Sequence, residues 1–159
     1  MQTNHAYIGI GANLGHALQQ VTDAIALMDT KDTIRVTAVS SFYRTEPIDS
    51  SGDDYINAVF KIETSLDADD LLTQLFDIEQ QFGRERPYYN APRTLDLDLL
   101  MFNDEVRTTP RLTLPHPRMH ERAFVLIPLI EIAPGIVIPG RGAATAFVAA
   151  VSNQRIQKL

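Results

Sequence analysis

Asp96 and Asp98 stand two residues apart in Arg93-Thr94-Leu95-Asp96-Leu97-Asp98-Leu99-Leu100-Met101-Phe102. The alternation of Leu95, Leu97 and Leu99 with Asp96 and Asp98 has period two, so on a strand both carboxylates face one way and the leucines the other. Two carboxylates on one face repel each other, and burying them unpaired is costly. A hard divalent cation relieves both effects. Arg93, just upstream, suits a phosphate that such a metal also holds. The plain alternative is that the two acids are solvated residues on the open face of an edge strand.

Other candidates gather near this pair. Arg84, Arg86, Arg93, Arg107, Arg111, Arg118 and Arg122 fall in one stretch of a chain whose net charge is −6. An acidic protein with local arginines suits a compact polyanion and argues against an extended nucleic-acid footprint. His116, held between Pro115 and Pro117, has the chemistry to bond a phosphate or assist a leaving group. The chain lacks cysteine, which excludes disulfides, thiolate metal sites and a cysteine nucleophile. Gly9-Ile10-Gly11-Ala12-Asn13-Leu14-Gly15 looks like part of a dinucleotide fingerprint, but that motif needs glycine where Leu14 stands. No P-loop pattern occurs.

The elements that must position these groups follow from periodicity. A strand over 6–11 ends in a glycine turn, and Leu18, Val21, Ile25 and Met28 then recur at helical spacing. Residues 33–43 alternate and read as one strand; 46–54 reads as a loop; 55–65 reads as another strand. Asp67 caps a helix with Leu71, Leu72, Leu75 and Ile78 on one face, ending at Gly83. A second loop over 84–92 leads into the aspartate strand. Leu112–Leu114 reads as a short extended piece, 124–132 as a helix bent or interrupted by Pro128, and 143–151 as a weak last helix. Two β-α-β units give a ferredoxin-like α+β fold: a four-stranded antiparallel sheet with helices packed on it and extra C-terminal helices. With 159 residues, a single domain over 1–159 is expected. No leader pattern and no 18-residue apolar run is found, so a soluble, cytoplasmic protein without a membrane partner is expected. Nothing suggests an obligate interface, so a monomer is expected. Tyr55, Asn57 and Phe124 show no local sign of a pocket and read as core.

Taken in series, these segments resemble the 6-hydroxymethyl-7,8-dihydropterin pyrophosphokinase family of folate biosynthesis. Ala91-Pro92-Arg93-Thr94-Leu95-Asp96-Leu97-Asp98-Leu99-Leu100 resembles the family signature, and Gly11 to Gly15, Ser40 to Thr45, Tyr55 to Ala58, Glu79 with Gly83-Arg84, and Leu114 to Phe124 align in order. The resemblance implies transfer of pyrophosphate from ATP to the pterin hydroxymethyl group, leaving AMP. It implies that Asp96 and Asp98 hold two Mg2+ ions and, with Arg84 and Arg93, form the catalytic set. Glu79, Arg84, Arg86, Arg93, Leu99, Arg111, Thr113, His116 and Arg122 match the ATP side. Thr45, Glu46, Ile48, Tyr55, Asn57 and Phe124 match the pterin side. The chain departs from the family at Glu46, where proline is common, and at Asn90, where some members carry tryptophan. Another Mg-dependent phosphotransferase or nuclease with the same Asp pair, or a nucleotide-sensing domain, are the alternatives that the residues alone leave open.

Overall fold

The computed structural model describes residues 3–13, 16–45, 54–83 and 95–159. Its elements in chain order are β1 (Asn4–Ala12), α1 (Ala17–Asp29), β2 (Ile34–Val39), β3 (Tyr43–Thr45), β4 (Tyr55–Thr64), α2 (Ala68–Gly83), β5 (Asp96–Phe102), β6 (Arg107–Thr108), β7 (Thr113–Leu114), α3 (Ala123–Ile132), β8 (Val137–Ile138), β9 (Gly142–Ala143) and β10 (Ile156–Lys158). Short 3-10 turns cover Met119–Glu121, Ala144–Phe147 and Ala149–Val151. Nearly all of the two loops expected over 46–54 and 84–92 lies outside the described residues. Among the described residues no helix is long and apolar enough to cross a membrane.

One antiparallel sheet organises the chain, in the order β10–β3–β4–β1–β5, with β2 also paired to β4. It has six strands rather than the four expected. Two departures account for the difference. The strand expected over 33–43 is broken, because Ser40 places its hydroxyl where a ladder carbonyl would be. The Val59 N–H donates to Ser40 Oγ at 3.0 Å, while the Ser40 N–H donates to Val59 O at 2.9 Å. The chain then re-enters the ladder as β3. The second addition is β10, which pairs with β3 at the C-terminus. Residues 143–151 form two 3-10 turns instead of a regular helix.

The two sheet faces bury different helices. Ile8, Ile10, Ala58, Phe60 and Ile62 pack with Val21, Ala24, Ile25 and Met28 of α1 and with Leu71, Leu72, Leu75 and Ile78 of α2. The helical spacing read from the sequence is therefore the buried stripe except at Leu18, which is 46% exposed in the first turn of α1, and Asp67 caps α2 as expected, its Oδ1 accepting the Asp70 N–H at 2.8 Å. Leu95, just before β5, and Leu97, Leu99 and Phe102 of β5 join this core. On the other face α3 packs its Val125, Leu126 and Leu129 against Val59, Leu100 and Met101. Pro128 sits inside α3 without breaking it and removes one amide from the helical ladder.

Leu100 and Met101 are adjacent yet face the same core, because β5 is bulged there. Tyr7 pairs with Met101 and Ile8 with Leu99, so Leu100 is the extra residue.

The far end of α3 is tied to the sheet by Glu131. Ser41 donates its N–H and Oγ–H to Glu131 Oε2 at 2.9 and 2.8 Å, and Tyr43 donates its hydroxyl to Oε1 at 2.5 Å. Burial, together with the Glu131 carboxylate, pushes the Tyr43 phenol up to about 12. Burial pulls the Glu131 carboxyl upward, but the bonds from Tyr43 and Ser41 outweigh it and hold the group below its ordinary 4.5. A carboxyl whose folded value is depressed stabilises fully above its unfolded value and loses that stabilisation as pH falls through the folded one. Glu131→Gln should therefore lower stability at neutral pH and reduce the loss on acidification below about pH 4.5. Urea midpoints measured against pH check this; parallel losses in wild type and variant would refute it.

Candidate active site

The candidate residues converge on the sheet face that meets α3. Cross-strand register sets them in two rows. Tyr43, Asn57, Gly11 and Asp96 form one row, and Val59, Gly9 and Asp98 form the next. Asp96 and Asp98 are half-buried, while Leu95, Leu97 and Leu99 are buried on the opposite side. The alternation read from the sequence is thus realised in space.

The two glycines of β1 lie beside the aspartates, and neighbouring side chains occupy the space their own would take: a Cβ added at Gly9 would lie 3.6 Å from the Leu100 side chain. Asn57 and Asp96 stand on either side of Gly11, about 10 Å apart at two strand spacings. At Gly11 an added Cβ would lie 2.5 Å from Asn57 Oδ1. Asn57 is buried and its Nδ2 donates to Thr45 Oγ1 at 2.6 Å, so it cannot retreat without losing that bond. Thr45 and Tyr55 are paired across β3 and β4 at the end of the same face.

Glu79 reaches the Asp strand from α2. Its Oε2 accepts the Leu97 N–H at 2.8 Å, fixing the backbone midway between the two aspartates. Leu99, expected on the ATP side, turns its side chain into the α1–α2 core and has only its backbone to offer.

His116 is placed by the bulge. Its N–H donates to Leu100 O at 2.9 Å, which brings it beside the Asp98 end of the strand. Its Nδ1 accepts the Arg118 N–H at 3.1 Å, so the proton of the neutral ring resides on Nε2 and can be donated outward. Burial, with help from Arg122, Arg141 and Arg118, lowers its pKa from 6.5, while Asp98 opposes the shift. Arg141 holds the same segment: its guanidinium donates to His116 O at 2.7 Å and to Pro115 O at 3.3 Å. Sequence reasoning passed over Arg141. The available signal was its setting in Gly140-Arg141-Gly142, where both glycines take positive φ, 76° and 113°, and turn the chain sharply.

Arg122 and Phe124 stand at the start of α3, with the guanidinium 5.5 Å from the ring centroid. Thr113 lies on β7, beside the segment that carries His116. Arg111 is tied to α2 through Thr73 Oγ1 and through Asp69 O, the latter at 3.3 Å. Arg107 is committed to Asp69 at 2.9 Å and Glu105 at 2.7 Å. The cationic stretch of the sequence is therefore divided between site and scaffold. Arg84, Arg86, Arg93, Glu46 and Ile48 lie outside the described residues.

The donor chemistry suits magnesium. Two half-buried carboxylates on one strand face, with no third His, Cys, Asp or Glu gathered to them among the described residues, match an ion that takes one or two carboxylates and completes its shell with water and substrate phosphate.

An antiparallel α/β sheet with a carboxylate pair, a histidine and arginines at one end of one face defines a centre of the phosphate-handling class. The family model described as 7,8-dihydro-6-hydroxymethylpterin-pyrophosphokinase matches residues 7–134, and the chain belongs to this family. It is 39% identical over 155 residues to the 2-amino-4-hydroxy-6-hydroxymethyldihydropteridine pyrophosphokinase of Haemophilus influenzae, covering 97% of each chain. It is 43% identical over 130 residues to the protein of the same name from Bacillus subtilis, covering 81% of this chain and 78% of the relative. The wild-type Plasmodium falciparum HPPK-DHPS structure with pteroate is similar in fold, with a TM-score of 0.75 at 13% identity over 94% of this chain. The chain spans 42% of that larger protein.

Gly11→Ala should destabilise the protein by about 1–3 kcal/mol through the clash with Asn57. In chemical denaturation its cost should shrink in the Asn57→Ala background, where the clash is gone. Additive costs would show that the two positions do not meet as described.

Proposed function

We propose that this chain transfers pyrophosphate from ATP to the hydroxymethyl group of 6-hydroxymethyl-7,8-dihydropterin, giving AMP and the pterin diphosphate in folate biosynthesis. The family match and the relatives' names support the reaction. One observation carries it to these residues: the carboxylate pair and the Asn57–Thr45 pair share one sheet face, on either side of Gly11. A polyphosphate held at one side then lies next to an acceptor held at the other.

Asp96 and Asp98 are the residues that would hold Mg2+, two ions by the family pattern, and the metal would neutralise the triphosphate and align it. The acceptor hydroxyl oxygen forms a bond to the β-phosphorus while the bond from that phosphorus to the α-phosphate bridging oxygen breaks. AMP leaves with the electron pair, and the hydroxyl proton passes to solvent. Positioning and charge neutralisation supply most of what such a displacement needs.

Each side chain has a part in this. Asn57, fixed by Thr45, offers its carboxamide to the edge of the pterin. Tyr55 and Phe124 supply the apolar walls, and Glu46 and Ile48 complete that side by the family pattern. His116 donates from Nε2 to a phosphate oxygen, and Arg122 adds charge where nucleotide and pterin meet. Arg84, Arg86 and Arg93 are assigned to phosphate, and Arg111 and Thr113 to the nucleotide, by the same pattern. Glu79 acts through the backbone of the Asp strand, and Leu99 through its main chain.

We read residues 1–159 as one catalytic domain acting as a cytoplasmic monomer, and the absence of cysteine suits a reducing compartment. The strand order β2/β3–β4–β1–β5, with α1 and α2 on one face, supports the ferredoxin-like arrangement as its kernel.

Incubation with ATP and the pterin alcohol should release AMP. ADP as the only product, or AMP formed equally without the pterin, would overturn the assignment. Asp96→Asn and Asp98→Asn should each lower kcat by at least about 100-fold while the far-UV spectrum is kept. Near-wild-type turnover of either variant at limiting magnesium would remove the metal role.

A further inference from the structure

Gln154 lies beyond the stretch that the family model matches, in a segment with no helical or strand periodicity. Its side chain nevertheless spans the start of α3. Gln154 Oε1 accepts the Ala123 N–H at 2.8 Å, and Nε2 donates to Glu121 O at 2.9 Å. The two bonds bracket Arg122.

The geometry has a chemical consequence. The first amides of a helix lack intrahelical partners and are commonly satisfied by a Ser, Thr, Asp or Asn at the N-cap. Here the N-cap is Arg122, whose side chain makes no capping bond. Gln154 satisfies the Ala123 N–H instead, from a remote part of the chain. Position 122 is thereby free to carry a cation, and that cation stacks on Phe124.

Two residues further on, the same segment becomes β10, with Ile156 opposite Thr45 and Lys158 opposite Tyr43. Thr45 holds Asn57. Thr45 and Gln154 also line one polar cleft of about 570 Å³, together with Arg44 and Asp54. The C-terminal segment thus joins the two sides of the proposed acceptor pocket, the Arg122–Phe124 pair on α3 and the Thr45–Asn57 pair on the sheet.

We propose that Gln154 is a positioning residue for the pterin acceptor, acting through Phe124 by capping α3 from the C-terminal segment. The proposal rests on the pterin pyrophosphokinase reading. Gln154→Leu keeps the volume and removes both bonds. It should raise KM for the pterin alcohol about ten-fold with a smaller fall in kcat, as expected when a binding wall is misplaced. In the Phe124→Ala background the same change should raise KM no further, because the residue it acts through is gone.

Should Gln154→Leu fail to fold, Gln154→Glu keeps the acceptor for the Ala123 N–H and loses the donor to Glu121 O. It should give a smaller rise in KM, again absent in the Phe124→Ala background. A lowered melting temperature with unchanged KM would reduce Gln154 to a purely structural cap and overturn the proposal. Independent, multiplying effects of the two substitutions would mean that Gln154 acts on the substrate directly, and would overturn it too. Wild-type protein that releases no AMP would refute the reaction itself, whereas normal wild-type turnover with an unmoved KM in the variant refutes only this inference.

Discussion

A slip of one residue between β5 and β1 would bury two carboxylates and expose three leucines. That constraint holds the site together. Each buried leucine is worth about 1.5–3 kcal/mol, and each unpaired buried carboxylate costs more than that, so both terms enforce the same register. Glu79 adds a third restraint by accepting the Leu97 N–H on the free side of the strand. The apolar face of β5 is thus what aims its polar face. Because Gly9 and Gly11 stand opposite Asp98 and Asp96, the register that packs the core also lets Leu100 and Asn57 close over β1 beside the acids.

The same strand then breaks its own rule to useful effect. The extra residue at Leu100 turns Leu100 and Met101 together toward α3 and leaves the Leu100 carbonyl to accept the His116 amide. A regular strand would direct neighbouring side chains to opposite faces. The bulge lets β5 serve the α1–α2 core at Phe102, the α3 core at Leu100 and, through the Leu100 carbonyl, the phosphate end at His116. Arg141, reaching in from a glycine turn, fixes the other side of the His116 peptide.

What could be read along the chain was whatever depends on neighbours in sequence. Asp67 caps α2 because an Asx cap is a local bond, and the stripe Leu71, Leu72, Leu75 and Ile78 is buried because helical periodicity is local geometry. The helix over 124–132 was legible, and Pro128 does not interrupt it. The break at Ser40 was illegible, since a hydroxyl replaces a ladder carbonyl only when Val59 is already opposite. The strand β10 was illegible for the same reason: Ile156-Gln157-Lys158 has no pattern that calls for pairing until β3 offers an edge. Arginines posed the converse difficulty. They look alike in sequence, yet Arg107 serves Asp69 and Glu105 while Arg122 stacks on Phe124.

The sequence by itself determined that two carboxylates share a strand face, that α1 and α2 are helices with one apolar face to bury, and, through its motifs in series, the family. These are consequences of period two, period 3.6 and residue identity. Only the tertiary structure decided that Asn57 faces Asp96 across a glycine, that Leu100 delivers His116, and that Gln154 caps α3 from the far end of the chain. Each of these joins residues on separate strands, helices or loops, and a hydrogen bond between them exists only once the packing of two cores has brought both partners within 3 Å or so.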